Sequence, residues 1–167
     1  MRKIAYILVL LPFLIAGCQA PTSNDSSSTV TAVKPNTPLS VQLRREQLVG
    51  NWYGDQPTKS GGRKQWIMRQ MKDGTFRIRF HVRDEIEGNF DSTEFGLWGV
   101  SAGYLVTLTR GSVEADGSIR EKSSASAYFW DVYEIVSLQG NDFRYISTET
   151  KNEYYTKKVP DDFSFQN

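Results

Sequence analysis

The chain has 167 residues and a formal net charge of +1, from 20 Lys and Arg against 19 Asp and Glu. That length suits one ordinary domain with appendages, and the balanced charge leaves no electrostatic footprint for a nucleic-acid partner. One His and one Cys leave too little material for a zinc ribbon, Cys/His catalysis or a disulfide scaffold.

Met1-Arg2-Lys3 is a short basic start, and Ile4 to Ile15 is almost continuously apolar. A run of about a dozen residues is short of the ~20 needed to cross a bilayer as a helix. A basic head, a short apolar middle and small residues before a break predict a secretory signal over residues 1–18. Leu14-Ile15-Ala16-Gly17-Cys18 resembles a bacterial lipobox. The resemblance implies that Cys18 is acylated, becomes the new N-terminus and holds the chain to a lipid bilayer, with no free thiol left. In such lipoproteins the residue after the Cys influences sorting, and Gln19 in place of Asp implies the outer membrane of a Gram-negative cell, with the domain facing the periplasm. Without Arg2 and Lys3 the basic count falls from 20 to 18 against 19 acidic residues. Residues 19–40 are rich in Pro, Ser, Thr and Asn and too poor in apolar side chains to pack. They read as a disordered tether with a reach of about 25 Å.

The domain proper is expected over residues 41–167. Val41–Leu48 spaces its apolar residues at roughly helical intervals and predicts one short helix, stopped by Gly50. Beyond it, apolar runs alternate with turn signals. Eight strands are predicted: Asn51–Gln56, Lys64–Met71, Thr75–Arg83, Thr93–Val100, Tyr104–Arg110, Ala127–Leu138, Phe143–Glu149 and Glu153–Val159. Short links such as Asp73-Gly74, Ala102-Gly103 and Gly140-Asn141 suggest an antiparallel meander. Closing eight such strands into an up-and-down barrel removes the exposed edges of an open sheet.

Register follows from residue chemistry. A three-residue loop with Gly74 in the left-handed conformation puts Trp66, Met68, Phe76, Ile78 and Phe80 on one face. Arg69, Arg77, Arg79 and His81 then share the other. The alternative two-residue turn would bury arginines, at a cost of several kcal/mol each if unpaired, roughly. The same treatment of Ser101-Ala102-Gly103 collects Trp98, Val100, Tyr104, Val106 and Leu108 inside. Around Gly140-Asn141 it collects Trp130, Val132, Val136, Leu138, Phe143 and Tyr145. Glu134 then falls on the inner face opposite Ser147, unless a bulge in that strand turns it to water.

Leu48-Val49-Gly50-Asn51-Trp52-Tyr53-Gly54 carries the G-x-W pattern of lipocalins and other calycin barrels, and the helix, motif and meander over Val41–Val159 are similar to the small lipocalin-like domains of bacterial lipoproteins. The resemblance implies that Trp52 closes the barrel floor. Lipocalins usually pack an Arg of the last strand across that Trp; here the last strand offers Lys157 and Lys158.

No G-x-S-x-G nucleophile elbow is present, His81 has no partner legible from spacing, and Asp84-Glu85-Ile86-Glu87 lacks the spacing of a calcium loop. No catalytic residue, metal ligand, cofactor or enzymatic activity is expected. The inner aromatic set, with Trp66, Phe80, Trp98, Tyr104, Trp130, Glu134 and Tyr145 as candidate ligand contacts, suggests a cup for a small apolar or amphipathic molecule. Eight strands are just wide enough either to fill with side chains or to hold one small ligand. The alternative is a filled barrel whose outer surface, including Arg69, Arg77 and Arg79, meets a protein of the cell envelope.

Overall fold

The computed structural model describes residues 39–123 and 129–165. The expected signal sequence, Cys18 and the tether up to residue 38 lie outside them. Helix α1 spans Leu39–Leu48, starting two residues earlier than expected. The strands are β1 Gly50–Pro57, β2 Arg63–Gln70, β3 Thr75–Arg83, β4 Phe90–Ser101, β5 Tyr104–Val113, β6 Ile119–Glu121, β7 Trp130–Gln139, β8 Asp142–Ser147 and β9 Glu153–Val159. All pairings are antiparallel. They run β1-β2-β3-β4-β5-β7-β8-β9, and β9 pairs back onto β1, so eight strands close a barrel. The ninth, β6, pairs only with the end of β5 and stands outside the ring. Its three exposed residues give no alternating signal.

The β2–β3 hairpin has the expected register. Gln70 pairs with Phe76, Met68 with Ile78 and Trp66 with Phe80, while Arg69 faces Arg77. Gly74 sits at φ 89°, and its N–H closes a turn onto the Met71 carbonyl. This is the left-handed position that glycine occupies without steric cost. Trp66, Phe76 and Trp98 are buried on the inner face.

At two other places the inner wall differs from the sequence expectation. Ala102 and Gly103 both have positive φ, 45° and 91°, which makes a two-residue turn pairing Ser101 with Tyr104. Leu105 and Thr107 therefore point inward with Val100 and Trp98, and Tyr104, Val106 and Leu108 take the outer face. Tyr104 is 40% exposed and Leu105 fully buried. In β7 a bulge leaves Val136 unpaired between Ile135↔Tyr145 and Ser137↔Arg144. One extra residue reverses every side chain upstream of it. Leu138, Phe143 and Tyr145 stay inside as expected, but Trp130, Val132 and Glu134 turn outward, and Tyr133 and Ile135 replace them. Trp130 is 49% exposed, and Glu134 pairs across from Ile146 rather than Ser147.

One end of the barrel is plugged. Trp52 is buried there and its indole N–H donates to the Leu48 carbonyl of α1 at 2.7 Å. The Lys158 ammonium lies 5.3 Å from the Trp52 ring centre and donates to the Gln47 carbonyl at 3.0 Å. A lysine of the last strand thus lies across the floor Trp. Gly50 has φ 127°, a backbone conformation that side chains with a Cβ rarely adopt, so the first residue of the G-x-W pattern favours glycine. Arg45 of α1 covers Trp98 at 5.0 Å and donates to the Lys72 carbonyl at 2.7 Å, tying the helix to the β2–β3 hairpin.

Candidate functional site

The inside of the barrel is filled from the floor upward by contacting rings. Trp52 meets Phe143 edge-on at 5.4 Å, Phe143 stacks on Tyr145 at 4.6 Å, and Tyr145 stacks on Tyr154 at 5.1 Å. Above them Tyr133 and Trp66 stand edge-on to Tyr154 at 6.0 and 5.8 Å. Such pairs contribute about 0.5–1.5 kcal/mol each beyond area burial.

The filling stops short of the open end. A cavity of about 90 Å³ remains, walled by Trp66, Met68, Ile78, Phe80, Leu105, Tyr133, Tyr145 and Tyr154, with Lys64 at its lip. The Lys64 ammonium lies 4.9 Å from the Phe80 ring centre. Burial pushes the Tyr133 hydroxyl far above its ordinary pKa, with the negative field of Asp131 adding to the effect. Burial likewise raises Tyr145, partly offset by the Trp66 indole. Both phenols are therefore neutral throughout the physiological range.

Lys64 and Tyr154 also line a cleft of about 440 Å³ at the rim, with Gln56, Thr58, Lys59, Glu87 and Asn152. A second rim cleft of about 490 Å³ lies between Glu94, Thr109, Lys122, Asp131 and Glu149. There Lys122 pairs with Glu94 at 2.7 Å. Asp131 titrates above the usual carboxylate range, chiefly through burial and then through Glu94 and Glu149. Among the described residues no group of His, Cys, Asp or Glu has the arrangement of a metal site.

Of the candidate contacts read from the sequence, Trp66, Phe80 and Tyr145 line the cavity. Trp98 is buried, with its indole N–H donating to the Met71 carbonyl at 3.0 Å, and it belongs to the floor. Tyr104, Trp130 and Glu134 point outside, because the tight turn at Ala102-Gly103 and the bulge at Val136 each shift parity by one. Tyr133, Tyr154 and Leu105 take their places. The signal for Tyr154 was its position opposite Tyr145 across the β8–β9 hairpin.

His81 and the acidic loop have structural partners. His81 Nδ1 lies 2.7 Å from Asp91, and its ring stacks on Phe165 at 5.3 Å. Asp84 is buried and accepts hydrogen bonds from the Ser60 and Thr58 hydroxyls and from the backbone N–H groups of Gly62, Ile86 and Glu87. These donors, the two hydroxyls first, hold its pKa well below the usual carboxylate range. The carboxylate clips the β1–β2 loop to the β3–β4 loop at the open end.

No protein-family model and no curated protein sequence matches the chain. What the geometry defines is a class of architecture: a closed eight-stranded antiparallel barrel with a helix-plugged floor and an aromatic cup at the other end.

Proposed function

We propose that this protein is a lipocalin-like binding module, tethered to the outer membrane through an acylated Cys18, that holds a small amphipathic molecule at the open end of its barrel. The observation that carries the reading is the incomplete filling of the interior. A cavity of about 90 Å³ with aromatic walls shares Lys64 and Tyr154 with a polar cleft of about 440 Å³. The inner space is below the ~150 Å³ that admits benzene in an engineered apolar cavity. It suits the slender end of an acyl chain better than a ring, leaving the polar part of the ligand among the rim side chains. Native mass spectrometry of the protein isolated from cell extract, with Trp quenching by fatty acids, tests this. A bound mass and saturable quenching are expected; neither appearing would end the reading.

A second reading, an envelope protein that binds another protein, is favoured by one feature of the outer wall. Leu97, Leu108 and Trp130 form one cross-strand row on β4, β5 and β7, and Gly99, Val106 and Val132 form the next. Leu97, Tyr104, Trp130 and Val132 are all exposed on this wall. Contiguous exposed apolar surface marks interaction sites. Val132→Glu should abolish capture of an envelope protein under this reading and leave fatty-acid quenching unchanged under the first.

A further inference from the structure

The outer face of β2 and β3 carries a cluster of arginines. Arg69 and Arg77 stand directly opposite each other in the ladder, and Arg79, two residues along, faces Ile67. Like charges placed opposite each other across strands destabilise a sheet. Four other arginines of the barrel have acidic partners: Arg63 has Asp55, Arg83 has Asp91, Arg120 has Glu114 and Arg144 has Glu153. Among the described residues Arg69 and Arg77 have no such partner.

The three guanidinium groups line a groove of about 350 Å³. Its remaining wall is the segment after β9, which crosses the outside of the barrel and contributes Asp161 and Phe163. This segment is fastened at several points. Asn51 donates to the Pro160 carbonyl and to the Asp161 carboxylate, Phe163 packs against Tyr53 at 4.9 Å, and Arg79 lies 5.5 Å from the Phe165 ring centre while donating to the Phe163 carbonyl at 3.4 Å. Ile67, on the outer face yet only 4% exposed, forms an apolar floor under the groove. Asp161 offsets one of the three positive charges and is itself held by Asn51, so the groove keeps a net charge of +2 from two arginine forks.

We infer that this groove binds a phosphate group. Two opposed guanidinium forks match the oxygens of a tetrahedral dianion, each able to donate two hydrogen bonds. The charge of such an anion equals the excess the groove presents. The groove is larger than one phosphate needs, and its Ile67 and Phe163 surfaces give an attached organic portion somewhere to lie. The cost of setting Arg69 against Arg77 is then offset when the anion is bound. A soluble phosphate compound and a phospholipid headgroup present the same chemistry here. This inference stands on the outer wall alone and is independent of what enters the barrel.

The test uses the full chain, isotopically labelled, with the Ile67 and Arg77 amide signals followed by NMR at low ionic strength. The probes are inorganic phosphate and dihexanoyl phosphatidic acid below its micelle concentration, with sodium chloride at matched ionic strength as control. Saturable shifts with phosphate but not chloride are expected, weakened at least tenfold in Arg69→Gln/Arg77→Gln and unchanged in Arg63→Gln. A melting temperature of the double variant at or above that of the unaltered chain shows that the loss is not unfolding. Phosphatidic acid binding tenfold tighter than inorganic phosphate assigns the groove to a lipid headgroup, and equal binding assigns it to soluble phosphate. Shifts that chloride reproduces, or that persist in the double variant, overturn the inference.

Discussion

Gly54 provides the sharpest test of the inner packing. It lies on β1 opposite Trp66 of β2, and a Cβ added there would stand 2.1 Å from Cζ2, 2.2 Å from Cε2 and 2.5 Å from Cη2 of that indole. Ordinary contact begins at 3.4 Å, so Gly54→Ala requires a displacement of 3.4 − 2.1, about 1.3 Å. Trp66 is poorly placed to yield, because it is buried and stands edge-on to Tyr154, which is stacked on Tyr145. Overpacking a core costs about 1–3 kcal/mol, and a collision with three ring atoms belongs at the upper end, about 3 kcal/mol. For a domain of this size that lowers the melting temperature by roughly 10 °C. Urea unfolding followed by far-UV circular dichroism measures it. Trp66→Phe in the same chain opens space beside residue 54, so the double variant should be more stable than the sum of the single effects by at least ~1 kcal/mol. A Gly54→Ala variant within about 0.5 kcal/mol of the original, with additive single effects, would refute the β1–β2 register and the position of Trp66 inside the barrel.

Three further perturbations address other elements. Glu134→Lys should change stability by no more than about 0.5 kcal/mol, as for an exposed site, while Tyr133→Ala should cost about 3 kcal/mol; urea midpoints in the reverse order would remove the bulge at Val136. Lys158→Met keeps most of the stem and loses the ammonium over Trp52, with an expected cost of about 1 kcal/mol, again read from urea unfolding. For Asp84 the folded-state pKa is depressed below the unfolded value of about 3.9. Its stabilising effect is therefore present above about pH 4 and lost as pH falls through the folded value. The stability gap between the original chain and Asp84→Asn should narrow as unfolding is measured from about pH 5 toward pH 2. A gap that stays constant would show that the charge of the carboxylate contributes nothing.

How much of this was legible in the sequence depended on local contrast. Around Gly74 one face is aromatic and the other is arginine, so a one-residue slip exchanges chemistries that cannot be exchanged, and the register follows. Around Ala102 both candidate faces are apolar: Leu97, Val106 and Leu108 lie on one and Val100 and Leu105 on the other. Composition there cannot choose. The deciding feature is Ala102 at φ 45°, a conformation that a non-glycine residue does not announce. In β7 the stretch Trp130-Asp131-Val132-Tyr133-Glu134-Ile135-Val136 offers bulky residues at both parities. A single unpaired residue there moved Glu134 to water and brought Asp131 and Tyr133 to the interior. The floor was easier to see, since Gly50, Trp52 and a late cation are each tied to it by shape. The arginine groove was visible only as a stripe, because the segment that walls it is distant in sequence and irregular.

Under the proposed function, the slender end of an amphiphile enters the cup beside Trp66. The most direct measurement compares Trp fluorescence quenching by two isomers of one bromo fatty acid, brominated at the terminal carbon or beside the carboxyl group. Insertion of the slender end beside Trp66 predicts saturable quenching several-fold stronger for the terminal isomer, lost when Ile78→Phe fills the cavity. Equal quenching by both isomers, or no saturation with either, would contradict it.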